Sequence, residues 1–392
     1  MGYTKRFYIA GKRRYMISFW EKQTFVHSHF LIIGSGITGL STALSLREKY
    51  PTKNILVLER GIFPSGASTK NAGFACFGSL TELISDYETL GELDMLALIE
   101  KRRRGLETLR SRLGDEVIDY QQHGGYELIT ESEIGALEHI KSMNTRLMPL
   151  FGEPVFSMKN EDIKKFGFDE DTVKALVYNP FEGQIHTGKM MRALLKLAAE
   201  KNIQVYTGAD VESIEDDHRR VYVKIKDKIN DEITLRSKKL IVCTNAFSKK
   251  LLPNLELNPG RGQVLVTEPI DDLKIKGTFH FDEGYYYFRN IGDRVIFGGG
   301  RNLDLEGETT TEMQTTDLII NNLKEKLENV IMPNQPFKVE QTWAGIMAFG
   351  KDKTPIIERV SPNVTVAARL GGMGVAIGTA VGEQAASLVY QE

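Results

Sequence analysis

Apolar residues along the chain cluster in short blocks whose period changes abruptly, and the first clear block is His29-Phe30-Leu31-Ile32-Ile33. A continuous apolar run of this length predicts a buried strand, since a strand covered on both faces does not alternate. Leu40 to Glu48 then changes to helical spacing, and Asn54 to Leu58 reads as a second buried strand. Leu93, Leu96, Ile99, Leu106, Leu109 and Leu113 recur at helical spacing, and Gly188 to Lys201 predicts another helix. Val221 to Ile225, Ile233 to Leu235 and Leu240 to Thr244 alternate like a small meander. Phe279 to Phe297 reads as a strand pair turned at Asn290-Ile291-Gly292-Asp293, and Val364 to Ala368 as a strand before a glycine- and alanine-rich helix. Strands alternating with helices imply an α/β chain.

The 392 residues suffice for two domains or one domain with a large insertion. Fifty basic against 52 acidic residues leave a net charge of -2, which argues against strong nucleic-acid affinity. The basic run Lys101 to Arg104 falls on the helix of the leucine series and is expected to be solvated. Cys76 and Cys243 cannot build a disulfide framework and have no zinc-ligand spacing, which favours a reducing cytoplasm. His27 and His29 share a strand face but lack a third ligand, so no metal is expected. Residues 1–27 read as an extension and lead-in whose basic start lacks a secretory apolar stretch, and Met16 is an alternative start. Glycines interrupt the longest apolar stretches, so no membrane span is expected.

Chemistry enters where the first strand ends. Gly34-Ser35-Gly36-Ile37-Thr38-Gly39 joins strand to helix: Gly34 for a tight turn, Gly36 for close approach to a pyrophosphate, Gly39 for helix packing. Glu59, with Arg60 beside it, follows the second strand twenty residues beyond Gly39, where an acid accepts from ribose hydroxyls. Nicotinamide and flavin sites share this unit. Two further segments favour flavin: the small-residue loop Ser68-Thr69-Lys70-Asn71-Ala72-Gly73-Phe74, and Leu370-Gly371-Gly372-Met373-Gly374-Val375, which opens the last helix. A second helix N-terminus at the cofactor suits the negative charge that flavin gains on reduction.

In these segments, and in Ile185-His186-Thr187, Cys243 to Ser248, Pro259 to Val264, Tyr285 to Arg289, Gly298 to Gly300 and Trp343-Ala344-Gly345 with Asp352 and Pro355, the chain resembles the D-amino-acid oxidase, glycine oxidase and sarcosine oxidase family. The resemblance implies a Rossmann-like three-layer FAD-binding domain assembled from 28–80, 182–250 and 344–392. It also implies an α+β substrate domain with a mixed, antiparallel-rich sheet from 81–181 and 251–343. Val211 would contact the adenine side, and Thr244 and Asn245 would close back on the FAD. The C-terminal glycine motif has no cysteine, so FAD is expected to be non-covalent. The implied activity is oxidation of a small amine or amino acid at its C–N bond by hydride transfer to flavin N5.

Tyr285, Tyr287, Arg289, Trp343 and Met347 are the substrate-pocket candidates. Strand alternation places Tyr285, Tyr287 and Arg289 on one face. Amino-acid oxidases of this family carry an arginine shortly after the Trp-Ala-Gly segment, whereas this chain has Gly345-Ile346-Met347. A substrate carboxylate would have to be held by Arg289, Arg261 or Lys351; otherwise the substrate is an amine, and the apolar replacement favours an N-substituted amine or amine-type substrate. Oxygen or another acceptor, the oligomeric state and the substrate itself stay open. The alternatives are a hydroxy-acid dehydrogenase using FAD, a nicotinamide-dependent dehydrogenase, a flavoenzyme acting on modified tRNA, and a flavin-fold binding module without turnover.

Overall fold

The computed structural model describes residues 17–227 and 229–389, so the basic start and Met16 lie outside the described residues. The apolar run is the middle of a sheet: His27–Ile33 pairs in parallel with Ile55–Leu58 on one side and Asp231–Val242 on the other. Gln204–Tyr206 and Val364–Ala368 extend the parallel set, and Ile356–Ser361 closes one edge antiparallel. Because side chains alternate, this sheet feeds two cores. Phe30, Ile32, Ile55, Val57 and Ile241 pack towards the helices, whereas Leu31, Ile33, Leu56, Leu58, Leu240 and Val242 pack towards the opposite layer. That is why the sequence shows an unbroken run rather than alternation.

The helical layer holds Ile37–Lys49 and Gly374–Leu388, which pack against each other, with Glu92–Leu113 on the latter. Close approach is enforced by missing side chains: a Cβ on Gly382 would lie 2.7 Å from the Thr38 carbonyl oxygen, and one on Gly105 2.3 Å from that of Ala376. Arg102 of the basic run departs from the expected solvated face. It is fully buried, donates to the Phe77 carbonyl at 2.6 Å and lies 3.5 Å from the Asp86 carboxylate. In the structure it falls on the buried stripe with Met95, Leu98, Leu106 and Leu109, and Asp86 supplies the countercharge.

The opposite layer differs from the meander read in the sequence. Asp231–Val242 is one strand, pairing antiparallel with Val221–Asp227 at its start and parallel with His27–Ile33 along its later part. The charged interval Arg236 to Lys239 mimics a turn, yet Ser237 is buried between the half-buried Arg236 and the exposed Lys238, and the strand runs on. Val211–Asp216 is the remaining member of that layer.

A second eight-stranded sheet runs in the order Val339–Phe349, Asn258–Thr267, Arg294–Gly299, Tyr286–Ile291, Thr278–Phe281, Gly125–Ile129, Ala175–Asn179, Ser157–Met158. It is antiparallel except where Thr278–Phe281 meets Gly125–Ile129. The stretch from Phe279 to Phe297 therefore holds parts of three strands where the sequence suggested two. The break falls at Asp282 and Glu283, both with positive φ, followed by Gly284. Phe279, Phe281, Tyr286, Phe288 and Phe297 stack into this sheet's core.

Candidate active site

Every parallel strand delivers its C-terminal end to one cleft, the place where open α/β sheets bind ligands. Gly34 follows the central strand, Glu59 its neighbour, Thr244 the strand on the other side, Leu370 the one beyond, and Ala209 lies past Gln204–Tyr206. The cleft encloses about 650 Å³ and continues to the second sheet, where Tyr285, Tyr287, Met347 and Phe349 form its wall.

At the glycine turn, Gly34 has a φ of 105°, and a Cβ there would meet the Cys243 carbonyl oxygen at 2.7 Å. Gly36, Ile37 and Thr38 line the cleft. Gly39 does not; a Cβ on it would sit 1.8 Å from the Gly34 carbonyl oxygen, so it serves the packing of helix on strand. The Ile37 N–H donates to Ser68 Oγ at 3.0 Å, drawing the Ala67–Lys70 turn across the helix N-terminus. Glu59 is buried. Its Oε2 accepts from Ser35 Oγ at 2.7 Å and Ser35 N–H at 3.3 Å, and its Oε1 from Gly61 N–H at 3.0 Å. Arg60 stacks on Phe247, 3.9 Å from its ring centre, near Val211.

The small-residue loop is held from behind. Asn71 Nδ2 donates to the Ala67 and Ser68 carbonyls, while its Oδ1 accepts from Gly73 N–H and from Thr187 Oγ, both at 2.9 Å. Thr69 Oγ donates to the Pro64 carbonyl at 2.9 Å, and Gly73 takes a φ of 79° against the Ile185 carbonyl. Neither Thr69 nor Gly73 faces the cleft, whereas Ser68, Lys70, Asn71, Ala72 and Phe74 do.

Two substrate-pocket candidates turn out to support this loop. Trp343 Nε1 donates to the Lys70 carbonyl at 2.9 Å, and its ring packs against the cluster of Ala72, Val264 and Ile296. Arg289 faces neither the cleft nor solvent. Its guanidinium donates to the carbonyls of Ala72, of Ile185 at 3.0 Å and of Asn290 at 2.8 Å, and burial lowers its pKa to about 10. Alternation does put it on the face of Tyr287, but one register further along, behind the loop. Arg261 is likewise engaged, in a two-pronged pair with Glu308 at 2.7 and 2.9 Å, and Lys351 is exposed at the cleft mouth.

At the C-terminal end, Arg369, Gly371 and Gly372 take positive φ, and Gly371 N–H donates to the Ala348 carbonyl at 3.2 Å. Asn245, itself at φ 46°, accepts from the Arg369 N–H at 3.0 Å. Leu370 to Val375 all line the cleft, with the N-terminus of Gly374–Leu388 directed into it.

The residues fit an extended dinucleotide. A glycine-lined helix N-terminus and a buried acid lie at one end, and a second glycine-lined helix N-terminus lies at the other. Among the cleft residues that the sequence reading missed, three carry ionisable side chains near the wall. Arg301 follows Gly298 to Gly300, His280 sits opposite Phe74, and Glu82 is a cleft-lining carboxylate on the helix Leu80–Leu90. Only position after a glycine turn marked Arg301; nothing local marked the others. Cys76, Glu182 and His280 bring ligand-capable atoms within 4.8 Å of one another. Burial pushes the Cys76 thiol well up, so it stays protonated.

Residues 29–388 match the family described as FAD dependent oxidoreductase, abbreviated DAO. The chain is 24% identical over 370 residues to the probable oxidoreductase OrdL of Haemophilus influenzae, covering 90% of this chain and 80% of that protein. L-Proline dehydrogenase from P. horikoshii superposes with a TM-score of 0.74 at 19% identity, covering 93% of each chain. Glycine oxidase from Geobacillus kaustophilus gives 0.74 at 20% identity, covering 93% of this chain and 94% of that one. With its cleft geometry and a family match over nearly its whole length, the chain belongs to the DAO family of FAD-dependent oxidoreductases.

Proposed function

We propose that this FAD-dependent oxidoreductase oxidises the C–N bond of a small amine or amino acid. The flavin, when bound, accepts a hydride equivalent at N5, so the protein's part is to position and desolvate the substrate. The observation that carries the reading is the single cleft running from the Gly34 turn to the Gly371 turn and ending at an aromatic wall.

Gly34, Gly36, Glu59 and Val211 would hold the ADP half. Ser68 to Phe74, Thr244, Asn245 and Leu370 to Val375 would hold the ring half, without a covalent bond. The helix N-terminus at Gly374 favours negative charge gathered beside it. Tyr285, Tyr287 and Phe349 exclude water, and a dry wall favours the neutral amine over the ammonium form. Burial raises the Tyr287 phenol to about 12, so it stays protonated and can donate to the substrate.

The two domains would each be built on one of the two sheets. The parallel sheet takes its strands from 27–58, 204–242 and 356–368 and the second sheet from 125–179 and 258–349, with Val339–Phe349 running through the expected boundary at 344. No helix among the described residues is long and apolar enough to cross a membrane. A cytoplasmic setting is our reading from two buried free cysteines.

The test is an anaerobic panel of amines, amino acids and 2-hydroxy acids added to the FAD-loaded protein. Bleaching by nitrogen-bearing compounds with release of ammonia or a primary amine supports the reading. Bleaching by hydroxy acids alone overturns it.

A further inference from the structure

Arg301 lines the cleft beside Tyr285, Tyr287 and Phe349. It extends from the end of Arg294–Gly299, after Gly300 in the left-handed region at φ 77°. Its guanidinium lies over the Phe349 ring at 4.0 Å from the centre, and a Cβ on Gly260 would be 3.5 Å from its Nη1. Stacking occupies the face of the guanidinium and leaves its in-plane N–H donors free.

Three other cations of this region are engaged, whereas Lys70 and Lys351 line the cleft without an ion pair among the described residues and lack the planar fork of an arginine. Arg289 serves backbone carbonyls, Lys353 lies 2.7 Å from Asp86, and Arg261 grips Glu308. Glu308 is the acid nearest in charge effect to Arg301, but its Oε1 also accepts from Gln263 Nε2 at 2.9 Å, so its oxygens are taken. Arg301 makes no ion pair or side-chain hydrogen bond among the described residues. Burial lowers its pKa, the mark of a cation whose lost water has not been replaced by an anion. A half-buried fork of donors, braced on an aromatic ring and open to the cleft, is complementary to a carboxylate.

We propose that Arg301 is the substrate-carboxylate clamp of this cleft, so that the substrate class is an amino acid rather than a simple amine. The inference rests on the C–N oxidation reading and narrows it. A carboxylate fixed at Arg301 sets the end of the substrate, and the carbon bearing nitrogen then lies along the wall of Tyr285 and Tyr287.

The experiment has two arms on the FAD-loaded protein, each run on wild type, Arg301→Met and Arg301→Lys. Flavin content and thermal melting first establish that the variants fold and hold cofactor. In the binding arm, the flavin visible spectrum is titrated with propionate and with propionamide. Wild type is expected to bind propionate, Arg301→Met to bind it at least about tenfold more weakly, and Arg301→Lys to fall between, as for a lost charge-assisted fork. Propionamide affinity is expected to change little. In the turnover arm, N-methylglycine and dimethylamine are compared anaerobically, with the acid reducing flavin faster in wild type and the advantage vanishing in Arg301→Met. Propionate affinity unchanged in Arg301→Met, no propionate binding to wild type, or dimethylamine matching N-methylglycine overturns the clamp. If no nitrogen-bearing compound reduces the flavin, the C–N oxidation reading fails while the binding arm still decides the clamp.

Discussion

Arg289 carries a charge into the interior without an ion-pair partner among the described residues, and carbonyl oxygens from three segments of chain surround it. Removing it would leave those acceptors buried and unmatched. Arg289→Met is expected to lose on the order of 3 kcal/mol of stability and to lower bound FAD, because the Ala72 loop loosens. The ratio of kcat/KM for acids over amines should not move; a collapse of that ratio with normal FAD content would return Arg289 to the substrate site. Glu127 offers a pH test. It caps the helix Leu80–Leu90 by accepting from the N–H groups of Leu80 and Thr81, and burial pushes its carboxyl up to about 7 from an ordinary 4.5. The folded protein thus retains a proton that the unfolded chain has released. Its contribution is full below about pH 4.5 and is lost as pH rises through about 7. Urea melts of wild type and Glu127→Gln across that window are expected to show a decline with pH in the wild type that the variant lacks, and parallel curves would refute the assignment.

The strand-turn-helix that begins at His27 was legible because its signals are local: a buried run, a glycine turn, then a new period. A Cβ at Gly39 would fall well inside contact distance of the Gly34 carbonyl, so Gly39→Ala should force helix from strand. The expected loss is about 2 kcal/mol or more in thermal or urea unfolding. Gly36→Val puts a branched side chain against Ser68 and into the cleft, and is expected to abolish FAD retention with a smaller change in melting. A valine variant that purified fully loaded would show the turn lies elsewhere than on the cofactor. What the sequence did not disclose was non-local. Alternation put Arg289 and Tyr287 on one face, but which carbonyls lay within reach depended on the approach of the Ala72 loop from far along the chain. The charged interval 236–239 looked like a turn by composition, whereas the strand runs on there because pairing passes from Val221–Asp227 to His27–Ile33, a fact of topology.

At the scale of the whole molecule, the two ends of the chain meet: the helices Ile37–Lys49 and Gly374–Leu388 pack on each other and aim both N-termini at one cleft. The order of glycine motifs in the sequence announced that closure, whereas Arg301 became visible only when the second sheet closed over it. The opposite wall is aromatic, with Arg301 braced against it, which joins cofactor fold to substrate chemistry. The claim that this cleft removes hydride from carbon bearing nitrogen is tested most directly by single-turnover reduction of the FAD-loaded protein. The best nitrogen-bearing compound of the panel is used with hydrogen and with deuterium on that carbon, without oxygen. Flavin bleaching slowed by the deuterium is the predicted result; a flavin that stays oxidised with every such compound, or bleaches only with a reduced nicotinamide, would contradict it.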